Sequence, residues 1–400
     1  MENAMERNRY YKYVLALGHG CSDINQGALS AVLPFIIAAY HYDYTTAAML
    51  VTVSNLFGSI VQPIFGTIAD RKNKPWIMAL GVLLAGGGMA FTGLTSNFYG
   101  LCAAVIVSGI GIAMFHPQAA QLVGRSSETG KQGKGISIFS FGGKIGSTLG
   151  PVLTSSSILL FDMKGTLAFL IPSVLFGIIS AFFLKDFKEL GEKEKVDNGK
   201  SRAESGDGPA ASQDNWPAFI KLCITVFGRS IITNGMSTFL ALYFIQILHQ
   251  SQSFGNSALS VYFAIGAFAA LLGGSIADRF GYAKMIAVSF AIFFPSLILF
   301  TTTRNFLFAG AMLIPMAAAE SLSYSPMVVL GQRYLPNHTG FASGITLGLA
   351  VSVGAVLCPV LGYAADKYGL TAALYVIAGV SAAALASSLF LPETVPEARE

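Results

Sequence analysis

Six residues that close one apolar run, Gly66-Thr67-Ile68-Ala69-Asp70-Arg71, return 208 positions later as Gly274-Ser275-Ile276-Ala277-Asp278-Arg279. Pro151-Val152-Leu153 returns at the same offset as Pro359-Val360-Leu361. Both matches lie between long apolar stretches. Two copies of one hydrophobic unit in a single chain predict a two-halved membrane protein built to move something across a bilayer.

The chain is 53% hydrophobic and 12% charged, about half the charge of an ordinary soluble domain. Its apolar stretches run to about 20 residues, the length a helix needs to cross a bilayer. They lack the strict alternation of a membrane barrel. The expected fold is therefore an all-α polytopic membrane protein. Twelve spans are predicted, near 12–38, 46–69, 75–95, 98–122, 134–160, 166–184, 217–247, 256–277, 283–302, 306–330, 339–363 and 371–391. A cleaved signal peptide at the start is disfavoured by Asp23 inside the first run and by the eleven runs that follow.

Charge sets the orientation. With both termini in the cytoplasm, the inner segments collect 20 of the 25 Lys and Arg residues, and the outer loops hold only Lys164, Arg304 and Lys367. That bias predicts a multi-pass protein of a bacterial cytoplasmic membrane with both ends inside. The net charge of +4 then reports topology and gives no reason to expect nucleic acid. Cys21, Cys102, Cys223 and Cys358 lack any Cys-x-x-Cys spacing, so neither disulfides nor a metal site are expected.

Residues 185–216 interrupt the apolar pattern with dense charge and then with Gly, Ser, Pro and Asp. Such a stretch cannot bury a core, which predicts three parts: a six-helix bundle over 1–184, a cytoplasmic linker over 185–216 and a second, pseudo-symmetric six-helix bundle over 217–400. The duplicated Asp70-Arg71 and Asp278-Arg279 fall at the inner ends of spans 2 and 8. An acid there can take the exposed amides of a helix N-terminus, so Gly66, Asp70, Arg71, Asp278 and Arg279 are candidate latch residues; the plain alternative is a charge cluster that ends a helix. Gly146, Gly150 and Pro151 in span 5 allow close helix approach and bending. They are candidate hinge residues, or simple packing.

These residues resemble the major facilitator superfamily. Gly66-x-x-x-Asp70-Arg71-x-x-x-Pro75 is similar to its loop 2–3 signature, and Gly146-x-x-x-Gly150-Pro151 to the span-5 signature of its antiporters. Gly18-His19, Asp23, Gln62-Pro63, Phe115-His116-Pro117 and Gly142-Gly143 are similar to stretches of the bacterial fosmidomycin resistance exporters. The chain departs from that group with Gln118 after His-Pro and Lys144 after Gly-Gly. The resemblance implies the major facilitator fold of two six-helix bundles and proton-coupled efflux by alternating access. It also implies that Asp23 is the first choice of proton carrier.

Four charges lie deep in predicted spans: Asp23, Lys144, Arg229 and Glu320. Asp23, Lys144 and Arg229 stand about 10–12 residues from the inner end of their spans and Glu320 about 14 residues into span 10, roughly 15–21 Å along a helix. Facing lipid would cost each about 2.5–3.5 kcal/mol or more. They are expected to face an aqueous cavity or to pair, Asp23 with Lys144 and Arg229 with Glu320. Asp23, Glu320 and His116 are the proton-coupling candidates, although His116-Pro117 could equally break span 4. Lys144 and Arg229 are the expected contacts of a carboxylate, phosphate or phosphonate. His19, Asn25, Gln118 and Asn234 are expected as polar lining.

No Gly-x-x-x-x-Gly-Lys-Ser/Thr loop and no His-Glu-x-x-His site is present, so a self-contained ATP pump or a zinc enzyme is not expected. The reading is a transporter, not an enzyme. It needs no cofactor beyond a proton gradient, and its partners are protons, a small anionic or zwitterionic substrate and lipid. A monomer is expected. The competing reading on the same fold is a proton symporter importing an organic anion, because the sign of coupling depends on whether proton and substrate compete.

Overall fold

An apolar chain must satisfy its backbone polar groups internally, and a helix does so within one segment. A computed structural model describes residues 2–71, 74–126, 132–190, 213–338, 342, 345–346 and 350–393, without the side chains of 2–9, 67, 70–71, 124–125, 132–137, 274–275 and 350–351. The described residues form helices and no strand. In chain order these are α1 Glu2–Tyr40, α2 Tyr44–Arg71, α3 Trp76–Phe91, α4 Phe98–Ser126, α5 Gln132–Phe161 and α6 Leu170–Phe182. They continue as α7 Trp216–Gln246, α8 Gln252–Phe280, α9 Tyr282–Thr302 and α10 Phe306–Leu322. The last three are α11 Tyr324–Tyr334, α12 Ala350–Tyr368 and α13 Leu370–Ser388.

Nine segments among the described residues are long and apolar enough to cross a membrane. One of them, Ile138–Phe182, is 45 residues long, about twice what a single crossing needs, and holds both α5 and α6. A 3₁₀ stretch, Asp162–Phe169, joins the two and starts with Asp162 in a left-handed conformation (φ 50°). The span expected over 306–330 is divided at Ser323 into α10 and α11. Pro326 has no N–H to offer the Leu322 carbonyl, and the Ser323 hydroxyl turns back to the Glu320 carbonyl at 2.8 Å. Most of the expected linker, residues 191–212, lies outside the described residues, as does much of the start of the eleventh predicted span.

The chain divides into two compact units, Met1–Val32 with Val53–Pro209, and Leu33–Thr52 with Ala210–Glu400. In the first unit, a core of Tyr11, Leu15, Met78, Val82, Phe115, Phe139 and Phe176 joins α1, α3, α4, α5 and α6. The approach of α1 to α5 is backbone against backbone. A Cβ added at Gly142 would stand 2.2 Å from the Ala16 carbonyl oxygen, one at Gly146 2.2 Å from that of Gly20, and one at Gly150 2.5 Å from that of Ile24. Only glycine fits at such distances. The small-residue face expected of span 5 is therefore a seam inside this unit, clamping α5 to α1.

The second unit repeats the device. Gly354 on α12, 208 residues after Gly146, would place a Cβ 2.3 Å from the Ser230 carbonyl oxygen of α7. Its amide donates to the Ser230 hydroxyl at 3.2 Å. The corner between α1 and α2 belongs to this unit: Asp366 on α12 accepts the Tyr44 amide at 2.8 Å, the Thr45 amide at 2.9 Å and the Thr45 hydroxyl. A carboxylate there serves the unpaired amides at the start of α2.

The entry of α7 is tied to the end of α11. The Asn215 amide donates to the Tyr334 carbonyl at 2.7 Å, and Asp214 accepts the Asn337 amide at 3.1 Å and His338 Nδ1–H at 2.7 Å. Loss of hydration pushes the Asp214 carboxyl up, but these donors outweigh it and hold it below the usual carboxylate range. A carboxyl lowered in the fold contributes stability above its unfolded value, about 3.9 for Asp, and that contribution is lost as pH falls through the lowered value. Asp214→Asn should lower the thermal midpoint at neutral pH and flatten its fall toward acid pH, so that the two chains converge at low pH.

The glycine seam makes its own prediction. Gly146→Ala should cost about 1–3 kcal/mol, as overpacking does, measured as a lowered thermal midpoint of the detergent-solubilised protein. Gly310, where an added Cβ would meet nothing within 4 Å, should accept Ala without loss.

Candidate functional site

Placing a carboxylate inside an apolar helical body demands partners. Asp23 on α1, 8% exposed, finds two imidazoles. His19, one turn earlier, puts Nε2 3.2 Å from Asp23 Oδ2, and His116 on α4 puts Nε2 3.1 Å from Asp23 Oδ1. The two Nε2 atoms are 3.1 Å apart. The His19 ring stacks on Phe139 at 4.0 Å between centroids.

The far side of each ring decides the tautomer. His19 Nδ1 lies 2.8 Å from the Phe139 carbonyl oxygen, and His116 Nδ1 lies 2.7 Å from that of Ile112. Carbonyls only accept, so both Nδ1 atoms carry hydrogen and donate. In a neutral ring the other nitrogen then holds a lone pair. Two lone pairs and a carboxylate therefore converge without a donor among them. With both rings neutral, the cluster carries three acceptors and no donor.

The second unit builds a different site from the matching helices. Arg229 on α7 donates Nε–H to the Glu320 carbonyl of α10 at 3.2 Å, and its Nη2 is 3.7 Å from Glu320 Oε1. Glu320, 8% exposed, has its carboxylate served by two hydroxyls, Thr233 on Oε1 and Tyr262 on Oε2. The guanidinium lies over the ring of the exposed Tyr324, 4.8 Å from its centroid. A cation stacked on an aromatic face and only loosely paired with its acid can bind an anion.

The profile of the Major Facilitator Superfamily matches this chain over residues 15–347 and again over 222–400. The chain belongs to the major facilitator superfamily. It is 26% identical over 365 residues to the uncharacterized MFS-type transporter YfnC of Bacillus subtilis, covering 91% of this chain and 88% of that one. It is 25% identical over 355 residues to the fosmidomycin resistance protein of Escherichia coli, covering 88% and 85%. Among solved structures, it superposes with a TM-score of 0.73 on an inward-facing, unoccupied bacterial homolog of the human lysosomal transporter Spinster. That match is 19% identical and covers 96% of this chain and 94% of that one. The fold is thus the expected all-α, twelve-helix major facilitator fold, and the protein is a membrane transporter of that family, not an enzyme.

Arg229 and Glu320 meet as expected. Asp23 does not meet Lys144: its charged partners are His19 and His116, while Lys144 is exposed on α5. His116 does not end its helix, because α4 runs on through Pro117 to Ser126. Asn25 and Asn234 both turn inward on their own helices, donating to the carbonyls of Cys21 and Ser230, each at 3.0 Å. Gln118 is buried at 2% exposure.

The latch candidates are only partly described. Gly66 lies in α2 and an added Cβ there would face Pro117 at 3.9 Å; the side chains of Asp70 and Arg71 lie outside the described residues. Asp278 and Arg279 are exposed, and Asp278 takes the Tyr282 hydroxyl. The first amides of α9 are capped by Glu393 instead, whose Oε1 accepts from Tyr282 at 2.7 Å and whose Oε2 accepts from Lys284 at 3.2 Å.

Sequence reasoning missed Tyr262 and Thr233, because a hydroxyl in an apolar run carries no periodic signal. It also missed the meeting of His19 with His116, although the His19–Asp23 spacing of one helical turn was visible. Tyr262→Phe should leave Glu320 short of a donor and cost about 1–3 kcal/mol. A lowered thermal midpoint checks this, and Phe263→Leu, beside it, should cost less.

Proposed function

We propose that this chain is a proton-coupled secondary transporter that exports a small anionic or zwitterionic compound by alternating access. The observation that carries the reading is the His19–Asp23–His116 cluster: with both rings neutral it holds three acceptors and no donor, and a single proton completes it. Asp23 with His116 takes the role of proton carrier, and Glu320 is the second acid. Arg229, stacked on Tyr324, takes the anionic group of the substrate. Exposed Lys144 is the second cation within the proposal, and His19, Asn25, Gln118 and Asn234 are its polar surroundings.

Export is supported by the name of one relative, a fosmidomycin resistance protein, and by the Gly146-x-x-x-Gly150-Pro151 run. The Lys and Arg bias supports a bacterial cytoplasmic membrane with both termini inside, and the proposal takes the working form as a monomer. Gly66, Asp70, Arg71, Asp278 and Arg279 are its conformational latches, while Gly146 and Gly150 hold α5 against α1 and Pro151 is its candidate bend. The parts are a bundle over 1–184, a linker over 185–216 and a bundle over 217–400.

Reconstitution into liposomes with an imposed pH gradient tests the reading, with fosmidomycin as the probe. Proton flux opposite to probe flux is expected. Asp23→Asn should abolish gradient-driven accumulation while leaving downhill exchange, and Arg229→Ala should weaken probe binding at least tenfold, about 1.4 kcal/mol. Proton and probe moving together would favour the import reading. Full gradient-driven transport in both Asp23→Asn and Glu320→Gln would end the coupling proposal.

A further inference from the structure

The same cluster has a second consequence. We propose that His19, Asp23 and His116 bind a divalent transition-metal ion of the zinc class. The cluster's geometry places the ion independently of the transport reading, in the seat that reading gives to the proton.

Three observations carry it. The first is the set of donor atoms: two imidazole nitrogens and a carboxylate suit zinc, cobalt(II) or nickel(II), whereas magnesium and calcium take all-oxygen sites. The second is spacing. Tetrahedral ligands about 2.1 Å from a zinc ion stand about 3.4 Å apart. Here Nε2 to Nε2 is 3.1 Å, and the two Nε2-to-carboxylate distances are 3.2 and 3.1 Å. One ligand atom from each of the three residues falls within 4.8 Å of the others. An ion could seat with sub-ångström adjustment of the rings.

The third observation is orientation. Metal-bound histidines characteristically donate the other ring N–H to a carbonyl or carboxylate, which fixes the tautomer and aims the lone pair. Both rings do this here, His19 to the Phe139 carbonyl and His116 to the Ile112 carbonyl. The lone pairs are thus held in place by the backbones of α5 and α4 before any ion arrives. Gly143 keeps the space beside the seat, since a Cβ there would lie 2.5 Å from His19 Nε2.

Three protein ligands leave a fourth position. The side chains of His116, Asp23 and His19 are 23%, 12% and 11% exposed, so the cluster is not sealed. A water molecule or a single donor atom of a bound anion can complete the coordination.

The test uses the full-length protein in detergent, carrying no histidine tag and stripped with EDTA. Titration with cobalt(II) should give the visible bands of a four-coordinate ion at one equivalent per chain. After dialysis against zinc, elemental analysis should find close to one zinc per chain. His116→Ala and Asp23→Asn should each weaken binding at least tenfold, and Gly143→Ala should do so with all three ligands intact. His338→Ala, an exposed histidine elsewhere, should bind as the unaltered chain does. Thermal melts establish that each variant is folded, and a metal-induced rise in midpoint should appear in the unaltered chain and in His338→Ala only. No retained metal, or equal affinity in folded His116→Ala and Asp23→Asn, overturns the proposal.

Discussion

The closeness of α1 to α5 is the contact on which the first unit's chemistry depends. Glycines at 142, 146 and 150 let two backbones touch, and only at that separation can the His19 ring lie on Phe139 and donate to its carbonyl. That hydrogen bond fixes which nitrogen faces Asp23. A wider seam would leave His19 free to rotate and would return a donor to the cluster. The glycines therefore act on the site through geometry, one step away from any charge.

The two units use the same helices for different chemistry. Asp23 and His116 stand on α1 and α4; Arg229 and Glu320 stand on α7 and α10, the helices that the 208-residue repeat matches to them. Subtracting the repeat places Arg229 opposite Cys21 and Glu320 opposite Ile112, whose carbonyl holds His116. Both units thus concentrate charge at one crossing of two helices. One has filled it with acceptors, the other with a guanidinium, a carboxylate and two hydroxyls.

Much of this was legible because charge in an apolar run is conspicuous. Asp23, Arg229 and Glu320 announced themselves by cost alone, and the Arg229–Glu320 pairing followed from opposite signs at matching depth. The Asp23–Lys144 pairing failed for a reason that sequence does not carry: depth fixes position along a helix axis and says nothing about the face. Asp23 and Lys144 share a level, yet the charged groups against Asp23 are His19 and His116, and Lys144 is exposed. The meeting of His19 with His116, 97 residues apart, depends on how α1 crosses α4, and no periodicity within either helix encodes that. The capping of α9 by Glu393 rather than Asp278 is similar: the sequence showed that acids and helix starts were available, but pairing them required the path of the chain after α13.

The two buried acids differ in what surrounds them. Glu320 is ringed by donors: the Tyr262 and Thr233 hydroxyls and the Arg229 guanidinium. A proton arriving there would meet another hydrogen, and a hydroxyl would have to turn away before the carboxyl could hold it. Asp23 is ringed by acceptors, and a proton arriving there supplies the one hydrogen that the cluster lacks. On the same count, the proposed metal ion would suit the first site and the proposed anion the second. Lone pairs aimed at a common point attract a cation, and a guanidinium whose neighbouring carboxylate is already satisfied has attraction left for an anion. Removing the hydroxyls from the second site would therefore blur this division, because Glu320 would then draw Arg229 closer and the guanidinium would be spent within the protein.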